Sequence, residues 1–281
     1  MLFKVIVKQT NFLLKQKEAL LTMILFLGMI LINYLENVIS FRGTDVSQMY
    51  QPMKLLLLSY NRINYNANNT LLIVMLYPLL VSLPAGFSYI KEQQTKEEIF
   101  IMARIGKQKY MISKLGSAFC VTTIVFFVPF MTEIIMNCVS FPLCARGDLS
   151  NLSIYSPEYA DMVHNYWGYS VFLYSPVLYA VLGTLLFCVI SGILATLTVA
   201  VSMITTVRYR VMLFLPVFLL LNSTVYIDKI IIGDAMRVSW YDYMLIFGDT
   251  SKSTGYFVIG ILGILMIISC CYFWGKKREK L

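Results

Sequence analysis

The chain is poor in the residue types that do chemistry in water. Its 281 residues include one histidine, His164, and only 14% are charged, against about a quarter in an ordinary soluble domain. No Cys-x-x-Cys, His-Glu-x-x-His or comparable ligand spacing occurs, so no metal site is expected. No Gly-x-x-x-x-Gly-Lys-Ser/Thr run occurs either, which excludes ATP binding through a P-loop in this chain. With His164 expected outside the membrane and no paired carboxylates in the apolar runs, an intramembrane enzyme is disfavoured. At least four of the six cysteines (120, 138, 144, 188, 270 and 271) lie in apolar runs, where the thiol behaves as a small hydrophobe.

What is present is hydrocarbon. Hydrophobic residues make up 58% of the chain and the mean hydropathy is +0.71. The apolar residues are gathered into long uncharged runs, the mark of an all-α integral membrane protein, here one transmembrane domain over 1–281. A hydrocarbon core of about 30 Å needs roughly 20 apolar helical residues. Six segments qualify, near 19–39, 70–90, 115–136, 176–207, 211–227 and 255–275. No charged residue interrupts 162–207, which has room for a hairpin of two spans.

Charge placement decides between six and seven. Six spans with the N-terminus inside put 16 of the 23 basic residues on the cytoplasmic side and leave Arg42, Lys54, Arg62, Arg146, Lys229, Arg237 and Lys252 outside. A seventh span would carry the basic tail across, against the positive-inside rule. Both termini are therefore expected in the cytoplasm of a plasma-membrane protein. The net charge of +8 sets topology and meets membrane lipid, and no nucleic-acid partner is expected.

The first apolar run follows Lys4, Lys8, Lys15 and Lys17, as in a signal peptide, but it is long for one and no small-x-small site closes it. It reads as a retained span. Before it, over 1–17, Lys4, Lys8, Asn11 and Lys15 share one helical face, and Phe3, Ile6, Val7, Leu13 and Leu14 share the opposite one. That spacing fits an interface helix on the inner leaflet; an irregular basic flank is the other reading.

A polar interruption separates the second and third apolar runs: QTKEEIFIMARIGKQKYMISKL, from Gln94 to Leu115. Thr95 and Glu98 have capping-box spacing. Glu97 and Glu98 suit the positive end of a helix dipole, and Arg104 suits the negative end. Gly106 supplies a left-handed closing residue. The expected helix, 95–106, carries Ile99, Phe100, Ile101, Met102 and Ile105, too many apolar residues for a solvated linker. They bury in the membrane interface or in a partner.

Here the chain resembles the permease subunits of ATP-binding cassette exporters of type-2 architecture. The residues that carry the likeness are Glu92, Thr95, Glu97 or Glu98, Ile99, Phe100 and Lys114, with Gln94 and Lys96 departing from the usual pattern. The resemblance implies an interface helix, six spans and a coupling helix between spans two and three. It also implies a second permease chain, alike or related, and two separate ATPase subunits that bind the ATP and magnesium. Their docking surface would be Thr95, Glu97, Glu98, Ile99, Phe100, Met102 and Arg104. A four-span permease class shares a similar loop but carries a large domain after span one, where this chain has only 40–69.

Several other residues invite two readings each. Glu36 and Glu133, near the outer ends of spans one and three, line an exit path or sit at headgroup depth. Pro78, Pro84, Pro129 and Pro216 kink their helices for a rocking motion or without a role. Cys138 and Cys144 are bridged or free. Gly260 and Gly263 offer a close-packing face. The apolar patches within 228–254 look like the re-entrant cap that such permeases place between spans five and six.

The expected function is export of an amphiphilic cargo, such as a peptide, a lipid-linked molecule or a drug. The alternative is a membrane-embedded peptide sensor or immunity protein without transport.

Overall fold

A computed structural model describes residues 2–40, 42, 52–59, 67–141, 167–205, 210–227, 239–247 and 252–277. The described chain is helical, without strands. In chain order the α-helices are α1 (Leu2–Leu14), α2 (Lys17–Ser40), α3 (Ala67–Ser82), α4 (Ser88–Gln94), α5 (Glu97–Ile105), α6 (Lys107–Ser140), α7 (Tyr169–Tyr174), α8 (Pro176–Ile204), α9 (Leu215–Ile227), α10 (Trp240–Met244) and α11 (Thr254–Lys277). Single 3-10 turns cover Pro52–Leu55 and Arg210–Phe214.

Four helices, α2, α6, α8 and α11, are long and apolar enough to cross a bilayer. The expected second and fifth spans are shorter. The expected second span is broken: α3 ends at Ser82, turns occupy 83–87, and the chain resumes as α4. Pro84 has no N–H to give and its ring crowds the preceding turn, so a straight helix cannot pass through it. Gly86 holds the bend against α8, because a Cβ there would lie 2.5 Å from the Ser82 carbonyl oxygen and 3.0 Å from Thr198 Oγ1. Span five opens on the Arg210–Phe214 turn and only then forms α9, with Pro216 in its first turn, where proline is tolerated. At 13 residues, α9 rises about 20 Å. Span four ends at Ile204, within the 176–207 expected. Its start is well specified: Ser175 Oγ accepts from the Leu178 N–H, and Pro176 stands at the first helical position.

The core is built on α6 and α8, which α2, α3 and α11 flank. Gly192 lets them meet: a Cβ there would sit 2.5 Å from Thr123 Oγ1 and 2.8 Å from Phe119 Cδ2. Small residues at crossings are how membrane helices approach closely, since lipid provides no hydrophobic drive between them. Phe26, Tyr77, Phe126, Phe130 and Phe187 fill the centre with edge-on and tilted ring contacts of 4.5–6.3 Å. Tyr77 is also hydrogen-bonded to Ser191, 2.9 Å away, so its hydroxyl is buried with a partner.

The N-terminal segment is a helix, as the spacing predicts, but its burial is lateral. Ile6 reaches Gly116 of α6, where a Cβ would lie 3.2 Å from Ile6 Cδ1, and Leu13 is buried. Lys4, Lys8, Asn11 and Lys15 point away from the protein, and Phe3 and Val7 remain exposed.

Both described ends of the chain lie on one side of the bundle. Lys91 Nζ is 3.4 Å from Glu18 Oε1 near the start of α2, and Lys107 Nζ donates to the Lys276 carbonyl at the end of α11.

At the opposite end, Ile246 N–H donates to the Leu58 carbonyl, Ser59 pairs with Phe247, and Tyr179 O–H donates to the Ile246 carbonyl. The described part of the expected re-entrant segment therefore folds down on the 52–59 strap and α8. Residues 228–238 and 248–251 of that segment lie outside the described residues. Cys138 is a free thiol, and Cys144 lies outside the described residues.

Candidate functional site

The α4–α5–α6 corner is built by one buried ion pair. Glu92, in the last turn of α4, places Oε1 2.5 Å from Lys114 Nζ and accepts from Tyr110 O–H through Oε2 at 2.6 Å. Lys114 and Tyr110 stand one helical turn apart on α6, so both reach the same carboxylate. The Lys114 side chain is 1% exposed and that of Glu92 12%. Neither charge has water to fall back on, and the pair satisfies both partners in place. This contact closes the corner at its base and leaves α5 projecting between two fastened helices.

α5 is entered and left through two backbone conformations that few residues adopt. Lys96 takes the left-handed region at φ 59°, ψ 11°, and Gly106 takes φ 83°, ψ 144°. The second, positive in φ but extended in ψ, is essentially a glycine conformation. Gly106 therefore ends α5, as the sequence predicts, though not in the left-handed helical region expected. It also starts α6, in a single residue.

The expected capping box does not form. Thr95 is the C-cap of α4, its hydroxyl donates to the Lys91 and Glu92 carbonyls, and Lys96 is the N-cap of α5 without a side-chain bond. Thr95 follows a helix whose carbonyls are left open at its end. With Lys96 in the N-cap position, Thr95 stands one residue too early to cap α5, and its hydroxyl turns back to those carbonyls.

The predicted docking residues divide into two faces. Thr95, Glu97, Ile99, Phe100 and Arg104 are exposed, with Ile99 at 58% and Phe100 at 72%. Glu98 is buried at 6%, and Ile101, Met102 and Ile105 pack against the core. Glu98 and Met102 thus belong to the seam that seats α5. The exposed face of α5 is an adjacent apolar pair flanked by a carboxylate and a guanidinium.

The two span-end carboxylates differ in the same way. Glu36 is exposed and accepts from Asn69 Nδ2 at 2.7 Å. Glu133 is 1% exposed, enclosed by protein. Its Oε1 accepts from Asn33 Nδ2 at 3.1 Å and from the Leu57 N–H at 2.6 Å. Asn33 and Asn37 both donate to the Leu55 carbonyl at 3.0 Å, and Thr70 donates to the Leu57 carbonyl. Here an intramembrane carboxylate is a structural anchor that holds the 52–59 strap over α2 and α6.

Asn33, Asn37 and Tyr110 are the members that sequence reasoning missed. The four-residue spacing of Asn33 and Asn37, matched by Glu133 and Asn137, is a polar stripe on an otherwise apolar helix and could have been read as one. Among the described residues, no three histidine, cysteine, aspartate or glutamate side chains converge as a metal site. No family model, no curated protein and no solved structure matches this chain significantly.

Proposed function

We propose that this chain is the membrane-spanning permease subunit of an ATP-driven exporter for amphiphilic cargo. ATP hydrolysis takes place in a separate ATPase chain that docks on α5. The observation that carries this reading is the exposed pair Ile99 and Phe100 on a short helix fastened at its base by the Glu92–Lys114–Tyr110 contact. An exposed apolar pair gains by burial in a partner. A fastened base transmits a push on α5 into α6 rather than absorbing it in a loop.

The lack of a P-loop in the sequence assigns the nucleotide to another chain. In this reading α3 with α4, and the Arg210–Phe214 turn with α9, complete six crossings with both ends in the cytoplasm of the plasma membrane. A second permease chain supplies the other half of the pathway, and each half receives one ATPase.

Co-purification tests the proposal. The chain is expressed with the ATPase encoded nearest to it and captured from detergent extracts. Wild type is expected to retain the ATPase, and Ile99→Ala with Phe100→Ala to release it while remaining folded. Retention by the double variant, or no association by wild type, overturns the docking role. A chain that binds peptide with no ATPase associated would be the sensor.

A further inference from the structure

Within the described chain nothing packs closely on Gly260 and Gly263: a Cβ at either position meets nothing within 4 Å. The two glycines line an apolar groove of about 290 Å³ between α8, α9, α10 and α11. Phe187, Leu194, Trp240 and Ile264 form its other walls.

Four of its hydroxyls are committed elsewhere: Tyr77 is paired with Ser191, and Thr224, Ser223 and Tyr243 donate to the Leu221, Leu220 and Ser253 carbonyls. A groove with so apolar a lining suits hydrocarbon, since water gains little there. Along α11 its lining runs from Tyr256 to Ile267, a rise of about 16 Å at 1.5 Å per residue. That is close to half of the ~30 Å hydrocarbon core, the depth of one leaflet.

A second chamber, of about 240 Å³, adjoins the groove and shares Phe187, Tyr243 and Met244 with it. It holds Lys252, two residues before α11 begins and at the end of that helix opposite Lys276 and Lys277. This is headgroup level for a helix that crosses the bilayer. The Lys252 ammonium donates to the Leu245 carbonyl and lies within the field of the Asp242 carboxylate. Burial lowers its pKa to about 8, with the Asp242 charge opposing that shift. A second anion beside this largely buried ammonium would add to the stabilisation that Asp242 provides.

We propose that the two chambers form a site for one anionic phospholipid, with an acyl chain in the groove and the phosphate on Lys252. The groove matches one chain in length and polarity, and the lysine matches the head in charge and depth. The site is independent of ATPase docking, which takes place at the other end of the bundle.

The test uses the full chain in phosphatidylcholine vesicles that carry trace phosphatidylglycerol or phosphatidylcholine with a photoactivatable group midway along one acyl chain. Cross-linked peptides are mapped by mass spectrometry. Wild type is expected to be labelled over 256–267 about fivefold more by the anionic lipid, the factor that one lysine near a charged headgroup supplies. Lys252→Gln should bring anionic labelling down to the zwitterionic level. Gly263→Leu fills the groove and should abolish labelling by both lipids, with Gly260→Leu as its independent repeat. Gly28→Leu, on α2 where a Cβ also meets nothing within 4 Å, should leave labelling unchanged. Equal labelling of wild type by the two lipids overturns the proposal. So does persistence of labelling in both glycine variants, which would mean annular lipid only.

Discussion

Glu92 and Lys114 are 22 residues apart in sequence and 2.5 Å apart in space, and everything between them is the corner that presents α5. With both charges buried, the ends of α4 and α6 cannot separate without breaking the pair.

Removing one partner should therefore cost more than removing both. Lys114→Met leaves the Glu92 carboxylate buried without its counter-charge and is expected to destabilise the fold by about 3–5 kcal/mol. Lys114→Met with Glu92→Gln should recover a large part of that loss. Denaturant unfolding in micelles measures both. Equal stability of the single and double variants would show that the charges do not act as a pair.

At the other end, Glu133 takes the Leu57 N–H and Asn33 Nδ2 on one oxygen. Glu133→Ala leaves two buried donors without that acceptor, an expected loss of about 1–3 kcal/mol for each group stranded. Glu133→Gln keeps an acceptor of nearly the same shape and should cost far less. Hydrogen exchange separates the two, since the Leu57 amide should exchange faster in the alanine variant than in the glutamine one. Unchanged protection at Leu57 in Glu133→Ala would remove the anchor role.

How far the sequence reaches is visible in these same residues. Hydropathy finds α2, α6, α8 and α11, the four helices long and apolar enough to cross a bilayer, but not the breaks that shorten the helices of the expected second and fifth spans; the basic residues mark the end where α1, α5 and the end of α11 gather. Local rules do worse where two neighbours compete for one group. Thr95 has the spacing of a cap for α5, yet Lys96 takes the N-cap position and the Thr95 hydroxyl turns back to α4. Pro84 reads as a kink like Pro78 and Pro129, but only at Pro84 does the helix break. Glu133 could not be assigned from its own span, because its partner Leu57 is 76 residues away on a strap with no periodic signature.

Gly192 is where α6 and α8 touch. Gly192→Ala puts a methyl within 3 Å of Thr123 Oγ1 and Phe119 Cδ2 and should cost about 1–3 kcal/mol through forced separation of the helices. Gly28→Ala, where space is open, serves as the control and should be neutral. Thermal unfolding in one detergent ranks the two, and an equal melting temperature for both would show that the α6–α8 seam yields freely.

Lys252 gives stability a pH dependence whose sign follows from its surroundings. Burial lowers its pKa from 10.5 to about 8 in the folded chain, so between those values the unfolded chain binds more protons than the folded one. Stability then rises with pH across that interval, and the cost of the buried ammonium is present in full below it. In an uncharged detergent, the melting temperature of wild type relative to Lys252→Met should climb from pH 7.5 to pH 10. An anionic lipid on Lys252 would hold the proton and flatten that climb, so adding phosphatidylglycerol should reduce the slope in wild type and leave the methionine variant unaffected. A flat difference in pure detergent would mean that the ammonium is solvated in both states.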